Sequence, residues 1–195
     1  MTVHSITKYL AVAATLFIWS QADAQSYRSL IPRGYNLRDS VIADLDGDKI
    51  KDMVLVLQYH KEEPFRPYPR PVLILRGTGH GYTIADRCDS LAMTTDMGGA
   101  KTADPYDNIT AAANGQFTIE HHGGMGSFGW EHSVTFYYNK LKRNWLLYKV
   151  TTSTYSFNVA SDSLEVSASS DTTKTRRDFG DVPFSKFSYN RFPVE

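Results

Sequence analysis

The chain has one cysteine, Cys88, in 195 residues. No internal disulfide can form, so the fold must rest on its own core rather than on covalent staples. An excess of either charge is also missing: 21 basic and 21 acidic residues give a formal net charge of +0. That balance withholds the basic footprint on which nucleic-acid binding depends, and no nucleic-acid partner is expected. Beyond residue 24 no apolar run approaches the roughly 20 residues that a membrane-spanning helix needs. No segment sustains a 3.6-residue hydrophobic period over ten or more residues, which argues against a helical domain. A serine nucleophile is poorly served as well, because Gly126-Ser127-Phe128-Gly129 falls short of the nucleophile-elbow pattern and no strand-to-helix unit surrounds it.

What is present begins at the amino end. Lys8 precedes the apolar run Tyr9 to Trp19, and Ala22-Asp23-Ala24 places small residues for cleavage before Gln25. This is the pattern of a signal peptide over residues 1–24. Residues 25–195 are then expected to form one domain, secreted or periplasmic, long enough to bury a core of its own. With no cysteine at the cleavage point, a lipid anchor is not expected. Cys88, within Asp86-Arg87-Cys88-Asp89, has no activating base placed by the sequence and reads as a small buried residue.

Aromatic residues make up 13% of the chain, and its apolar runs are short and bounded by Gly, Pro, Asn and Asp, a strand-and-turn signature. Strands are expected at Ser40 to Ala43, Met53 to Tyr59, Pro71 to Arg76, Tyr82 to Ala85, Gln116 to His121, His132 to Tyr138 and Trp145 to Thr152. Weaker candidates lie near Ser163 to Ala168 and Phe184 to Tyr189. Asn114-Gly115 suits a tight hairpin with positive φ at both turn residues, and Asn139 to Asn144 a longer polar one. Gly77 to Gly81 separates two further strands. The run from Pro64 to Pro71 holds four prolines and reads as a stiff surface connection. Ser167 to Thr175, rich in Ser and Thr, reads as a mobile loop. The expected fold is mainly β: a single compact antiparallel β domain, sandwich or barrel-like.

The most specific signal is Asp44-Leu45-Asp46-Gly47-Asp48-Lys49-Ile50-Lys51-Asp52. Four carboxylates crowded into nine residues repel one another, and a bound divalent cation relieves that repulsion. With Asp44 as position 1, carboxylates fall at 1, 3, 5 and 9, and the backbone carbonyl of Ile50 falls at 7. An EF-hand needs glycine at 6 and a bidentate Glu at 12. Lys49 and Leu55 stand there instead, which rules that motif out. Asp52 runs directly into the apolar stretch Met53 to Leu57, so the loop is expected to join two β-strands. Ile50 would then turn its side chain into the core.

The run from Ser40 through Asp44 and Asp52 to Val56 resembles the calcium-binding hairpin of FG-GAP and VCBS-type repeats. Pro71 to Tyr82 resembles the next strand and glycine-aromatic turn, so the likeness covers residues 38–86. It implies Ca²⁺ as the ion and Asp44, Asp46, Asp48, Ile50 and Asp52 as its ligands, Ile50 through its carbonyl. Lys49 departs from the family pattern, which has glycine there. More loosely, Pro105 to Ile109, Asn114 to Ile119, His121 to Gly124 and Val134 to Tyr138 resemble a group of small exported bacterial proteins carrying one such loop. One repeat-like unit cannot build a propeller, which takes at least about four blades.

Glu120-His121-His122 and Glu131-His132 flank the glycine-rich stretch Gly123 to Trp130 and invite a zinc reading. Strand alternation sends His121 and His122 to opposite faces, which argues against it. The stretch itself reads as a loop between strands that could offer Phe128 and Trp130 as aromatic anchors. The expected function is therefore that of an exported, non-catalytic, calcium-stabilised β protein, binding a protein or glycan ligand at the cell envelope. The competing expectation is an envelope hydrolase using the His121, His122 and His132 region, with calcium purely structural.

Overall fold

The structure, a computed structural model, describes residues 27–64, 66–100, 102–158 and 165–192. The expected signal peptide lies outside them. Among the described residues nine strands form two antiparallel sheets. The first has the order β1 (Tyr35–Ala43), β2 (Asp52–Tyr59), β3 (Arg70–Thr78), β4 (Gly81–Ala92). The second has the order β5 (Tyr106–Ala111), β6 (Phe117–Met125), β7 (Phe128–Asn139), β8 (Asn144–Asn158), β9 (Glu165–Thr175). Within each sheet every strand pairs with its neighbour in sequence, and neither sheet closes into a barrel. The fold is mainly β, in two sheets. A four-residue helix, α1 (Arg176–Phe179), and 3₁₀ turns follow β9.

The seven strands expected between Ser40 and Thr152 are present but longer, since pairing carries each beyond its apolar stretch. β2 and β3 are buried on both faces, which explains their unbroken apolar runs. Val54, Val56, Val72 and Ile74 join the core shared with the second sheet. Met53, Leu55, Leu57, Leu73 and Leu75 pack on the other side against Tyr27, Leu30, Ile31, Tyr35 and Tyr82. Full burial of such a side chain contributes about 1.5–3 kcal/mol. The sheets meet where the Tyr106 hydroxyl donates to Asp39 Oδ2 at 2.9 Å and Arg38 pairs with Asp104 at 2.8 Å. The carboxyl-terminal segment bridges the far side: Ser90 Oγ of β4 donates to the Phe187 carbonyl and Leu147 N of β8 to the Val182 carbonyl. Phe184 and Phe187 enter the core there. Cys88 is buried, and burial pushes its thiol pKa up, as suits an inert core residue.

Four expectations are corrected. Ser167 to Thr175 is not a loop; it lies in β9, where its backbone pairs residue for residue with β8. Phe184 to Tyr189 is not a strand: a 3₁₀ turn, Phe184–Lys186, carries Phe184 inward. The glycine-rich stretch is paired strand on both sides of the Gly126-Ser127 turn. Its glycines make room for rings, since a Cβ on Gly123 would lie 2.3 Å from Trp130 Cζ2 and one on Gly129 2.2 Å from the Tyr155 ring. Trp130 is accordingly a core residue rather than an exposed anchor. At the Asn114-Gly115 hairpin only Gly115 has positive φ, at 79°. The turn closes by Gly115 N donating to the Ala112 carbonyl, a type I turn followed by a left-handed glycine.

Candidate metal centre

The acidic loop joins β1 to β2 at one end of the molecule. Leu45 anchors it in the core between the sheets, and the aspartates on either side of Leu45 are half-buried. Ligand oxygens of Asp44, Asp46 and Asp48 lie within 4.8 Å of one another. Local hydrogen bonds hold them there. Asp44 Oδ1 accepts from Gly47 N at 2.7 Å and its Oδ2 from Lys49 N at 2.9 Å. Asp46 Oδ1 accepts from Asp48 N at 3.2 Å, and Asp48 Oδ1 from Ile50 N at 2.7 Å. Each bond turns the chain about a short acidic side chain, which is why Asp at alternate positions makes this loop compact. A carboxylate oxygen can accept more than one contact, so lone pairs remain for an ion.

Asp52 has a different position. It is fully buried, its Oδ2 accepts from Leu45 N at 3.0 Å and its Oδ1 from Gly77 N at 2.9 Å. Burial raises its pKa above the ordinary carboxylate value. The two backbone N–H groups oppose that, and the Asp46 and Asp48 charges add to it. It clamps the base of the loop to β3 and stands outside the three-carboxylate group.

Ile50 does not turn into the core; its side chain is 41% exposed. β2 begins only at Asp52, so strand alternation does not yet govern Ile50. Lys49 adopts φ of 74°, the left-handed conformation for which glycine is the usual choice.

The second sheet reaches this loop through two turns. A Cβ on Gly115 would lie 2.8 Å from the Leu45 carbonyl oxygen, and one on Gly47 2.6 Å from Lys140 Nζ. Between these turns and the loop runs a groove of about 650 Å³ whose walls include Asp44, Asp46, Lys51, Tyr137 and Lys140. Arg76 stands beside the cluster, Nε 3.0 Å from Asp46 Oδ2, with its guanidinium over the rings of Tyr138 and Trp145. Sequence reasoning missed Arg76, and its separation from Asp46 leaves no local signal.

Among the described residues His121, His122 and His132 do not converge as a metal cluster. His121 and His132 face each other across β6 and β7 and are each 1% exposed, whereas His122 is on the opposite face beside Glu131. His121 Nε2 accepts from Met93 N at 3.1 Å, its Nδ1 lies 3.1 Å from the Tyr189 hydroxyl, and that hydroxyl donates to the Leu91 carbonyl at 2.8 Å. Burial lowers the pKa of His121 to about 3 and that of His132 to about 4. The pairing was legible: a two-residue turn at Gly126-Ser127 sets His121 opposite His132. Among the described residues no other group of three or more His, Cys, Asp or Glu converges as a metal site.

No protein-family model, curated protein or solved structure matches the chain. No helix among the described residues is long and apolar enough to cross a membrane.

Proposed function

We propose that this chain is an exported, non-catalytic β protein that a calcium ion stabilises and that binds a protein or glycan ligand at the cell envelope. The observation that carries this reading is the convergence of Asp44, Asp46 and Asp48 oxygens within 4.8 Å. Hard oxygen donors of high charge suit a hard divalent cation. Asp44, Asp46 and Asp48 hold the ion with the Ile50 carbonyl, and Asp52, the fifth ligand the resemblance implies, supports the loop from its base. Arg76 offsets part of the cluster's charge in the ion's absence. The ion fixes a loop that both sheets touch, so its role is structural, and no chemical step is assigned to it. The groove beside the loop is the proposed binding face: its walls combine the Tyr137 ring with charges of both signs.

Thermal melting in about 1 mM calcium against chelator tests the metal reading. With a dissociation constant of about 10⁻⁴ M, as in extracellular calcium modules, the gain is about 1.4 kcal/mol. An unchanged melting temperature, or one that still responds to calcium in Asp46→Ala and Asp48→Ala, overturns it. Pull-down from envelope extract with wild type and Lys140→Glu tests the binding reading, which fails if the two recover the same background.

A further inference from the structure

Away from the acidic loop, the β8–β9 end of the second sheet carries a cavity of about 240 Å³. Cross-strand register builds its wall. His132 pairs with Thr152 and Thr152 with Thr172, with the rows Val150–Lys174 and Thr154–Ser170 on either side. All seven residues line the cavity, and Phe192 of the carboxyl-terminal segment flanks it. No carboxylate is among the lining residues. The polar groups are hydroxyls, one ammonium and one imidazole, while Val150 and Phe192 supply apolar surface.

Two observations point to a ligand. The first is His132, which is 1% exposed and whose Nε2 is buried with no hydrogen-bond partner among the described residues. Its Nδ1 lies 2.8 Å from Thr152 Oγ1. When the Thr152 hydroxyl donates to Nδ1, Nε2 carries the ring hydrogen and is left as an unused donor. Buried polar atoms are almost always partnered, so an unpartnered one beside a cavity calls for a guest. The second is the set of donors on β9. The Lys174 ammonium makes no ion pair and the Ser170 and Thr172 hydroxyls no hydrogen bond among the described residues. Lys174 feels Asp178 outside the cavity lining but is bonded to no carboxylate, so an ammonium ringed by hydroxyls is left to take a single negative charge.

We propose that this cavity binds a small organic carboxylate. The carboxylate seats on Lys174 with the Thr172 and Ser170 hydroxyls, and the apolar end rests on Val150 and Phe192. A ligand oxygen, or a water bound with it, supplies the partner that His132 Nε2 lacks. The cavity is smaller than the roughly 300–1,000 Å³ of sites for drug-sized ligands. An occupant about the size of benzoate is therefore the right scale, and a ligand that small binds at about the millimolar level. The inference is independent of calcium, because no residue of the acidic loop lines this cavity.

Sodium benzoate, titrated into the ¹⁵N-labelled chain with uncharged benzamide as the control, provides the test. The expected result is saturable amide shifts at Val150 to Thr154 and Ser170 to Lys174, with half-saturation at about 1 mM. Lys174→Met weakens binding about tenfold or more, the loss of a charged partner, and Thr172→Val weakens it less. Both side chains are exposed on β9, so the variants fold, as unchanged shifts elsewhere verify. Absence of saturable shifts up to about 50 mM, equal binding of benzamide, or undiminished affinity in Lys174→Met each overturns the proposal.

Discussion

The Met93 amide donates to His121 Nε2 at 3.1 Å, and that bond fixes the protonation of a histidine inside the core. Nε2 must be the acceptor, so the ring hydrogen of neutral His121 is on Nδ1 and points to the Tyr189 hydroxyl at 3.1 Å. The hydroxyl passes its own hydrogen to the Leu91 carbonyl at 2.8 Å. Every donor in this chain has one acceptor, and an extra proton on Nε2 would break the bond to Met93. The carbonyl of the same Met93 accepts from Arg70 Nη1 at 2.9 Å, so one peptide strand separates a buried cation from a histidine that must stay neutral.

Acid should therefore unfold this protein through its histidines. In the unfolded chain a histidine takes up its proton near pH 6.5; in the folded chain His121 waits until about 3 and His132 until about 4. The unfolded state binds more protons between those limits, so stability is present above about pH 6.5 and lost as pH falls toward 4. The slope approaches about 1.4 kcal/mol per pH unit for each histidine that stays neutral in the fold. Urea denaturation at about pH 7.5, 6, 5 and 4 measures it. His121→Leu should cost roughly 2–3 kcal/mol at neutral pH by stranding Met93 N, and should flatten the slope.

Lys49 holds φ of 74° without being glycine. The left-handed conformation costs a residue with a Cβ about 1–2 kcal/mol, while glycine adds about 0.5–1 kcal/mol of unfolded-state entropy. Lys49→Gly should thus stabilise the chelated protein by roughly 0.5–1 kcal/mol. Lys49→Val, β-branched, should destabilise it. Urea midpoints with chelator present decide the matter; a loss of stability in Lys49→Gly would contradict the loop geometry.

Asp52 and Asp48 should separate fold from ion. In Asp52→Asn an amide NH₂ replaces an oxygen that accepts either Leu45 N or Gly77 N, leaving a buried donor against a donor. The expected cost is about 2–3 kcal/mol with calcium or with chelator. Asp48→Asn keeps an acceptor for Ile50 N at the exposed rim, so it should be near neutral in chelator and lose most of the gain from calcium. The paired melting curves check both variants.

The architecture was legible because it is local. Each sheet is a meander of sequential hairpins, and turns such as Asn114-Gly115 and the Asn139 to Asn144 loop are written in adjacent residues. β9 was misread because its Ser and Thr side chains carry no hydrophobic pattern; backbone pairing to β8 makes it a strand. Asp44, Asp46 and Asp48 were legible by spacing. Asp52 shares that spacing, yet what distinguishes it is Gly77, 25 residues away, whose amide it accepts. The placement of Arg76 beside Asp46 depends on a contact between distant segments that no short window of sequence contains.

Arg70 should be the most costly side chain to remove. It is fully buried at the start of β3, and its Nε donates to Glu62 Oε1 at 2.8 Å while Nη1 and Nη2 grip Asp104 at 2.6 and 3.0 Å. Glu62 is itself 2% exposed in its side chain, so Arg70→Met leaves a carboxylate in the core with no counter-charge. Breaking a buried pair from one side costs about 3–5 kcal/mol. Asp104 is half-open and keeps Arg38 at 2.8 Å, so most of the penalty belongs to Glu62. Glu62→Gln placed in the Arg70→Met background should therefore recover stability, although Glu62→Gln alone destabilises. Arg70→Lys cannot rescue the site, because one ammonium cannot reach Glu62, Asp104 and the Met93 carbonyl together. Urea denaturation of the two single variants and the double variant measures the coupling. A cost below about 1 kcal/mol for Arg70→Met, or additive effects in the double variant, would show that Glu62 does not depend on Arg70.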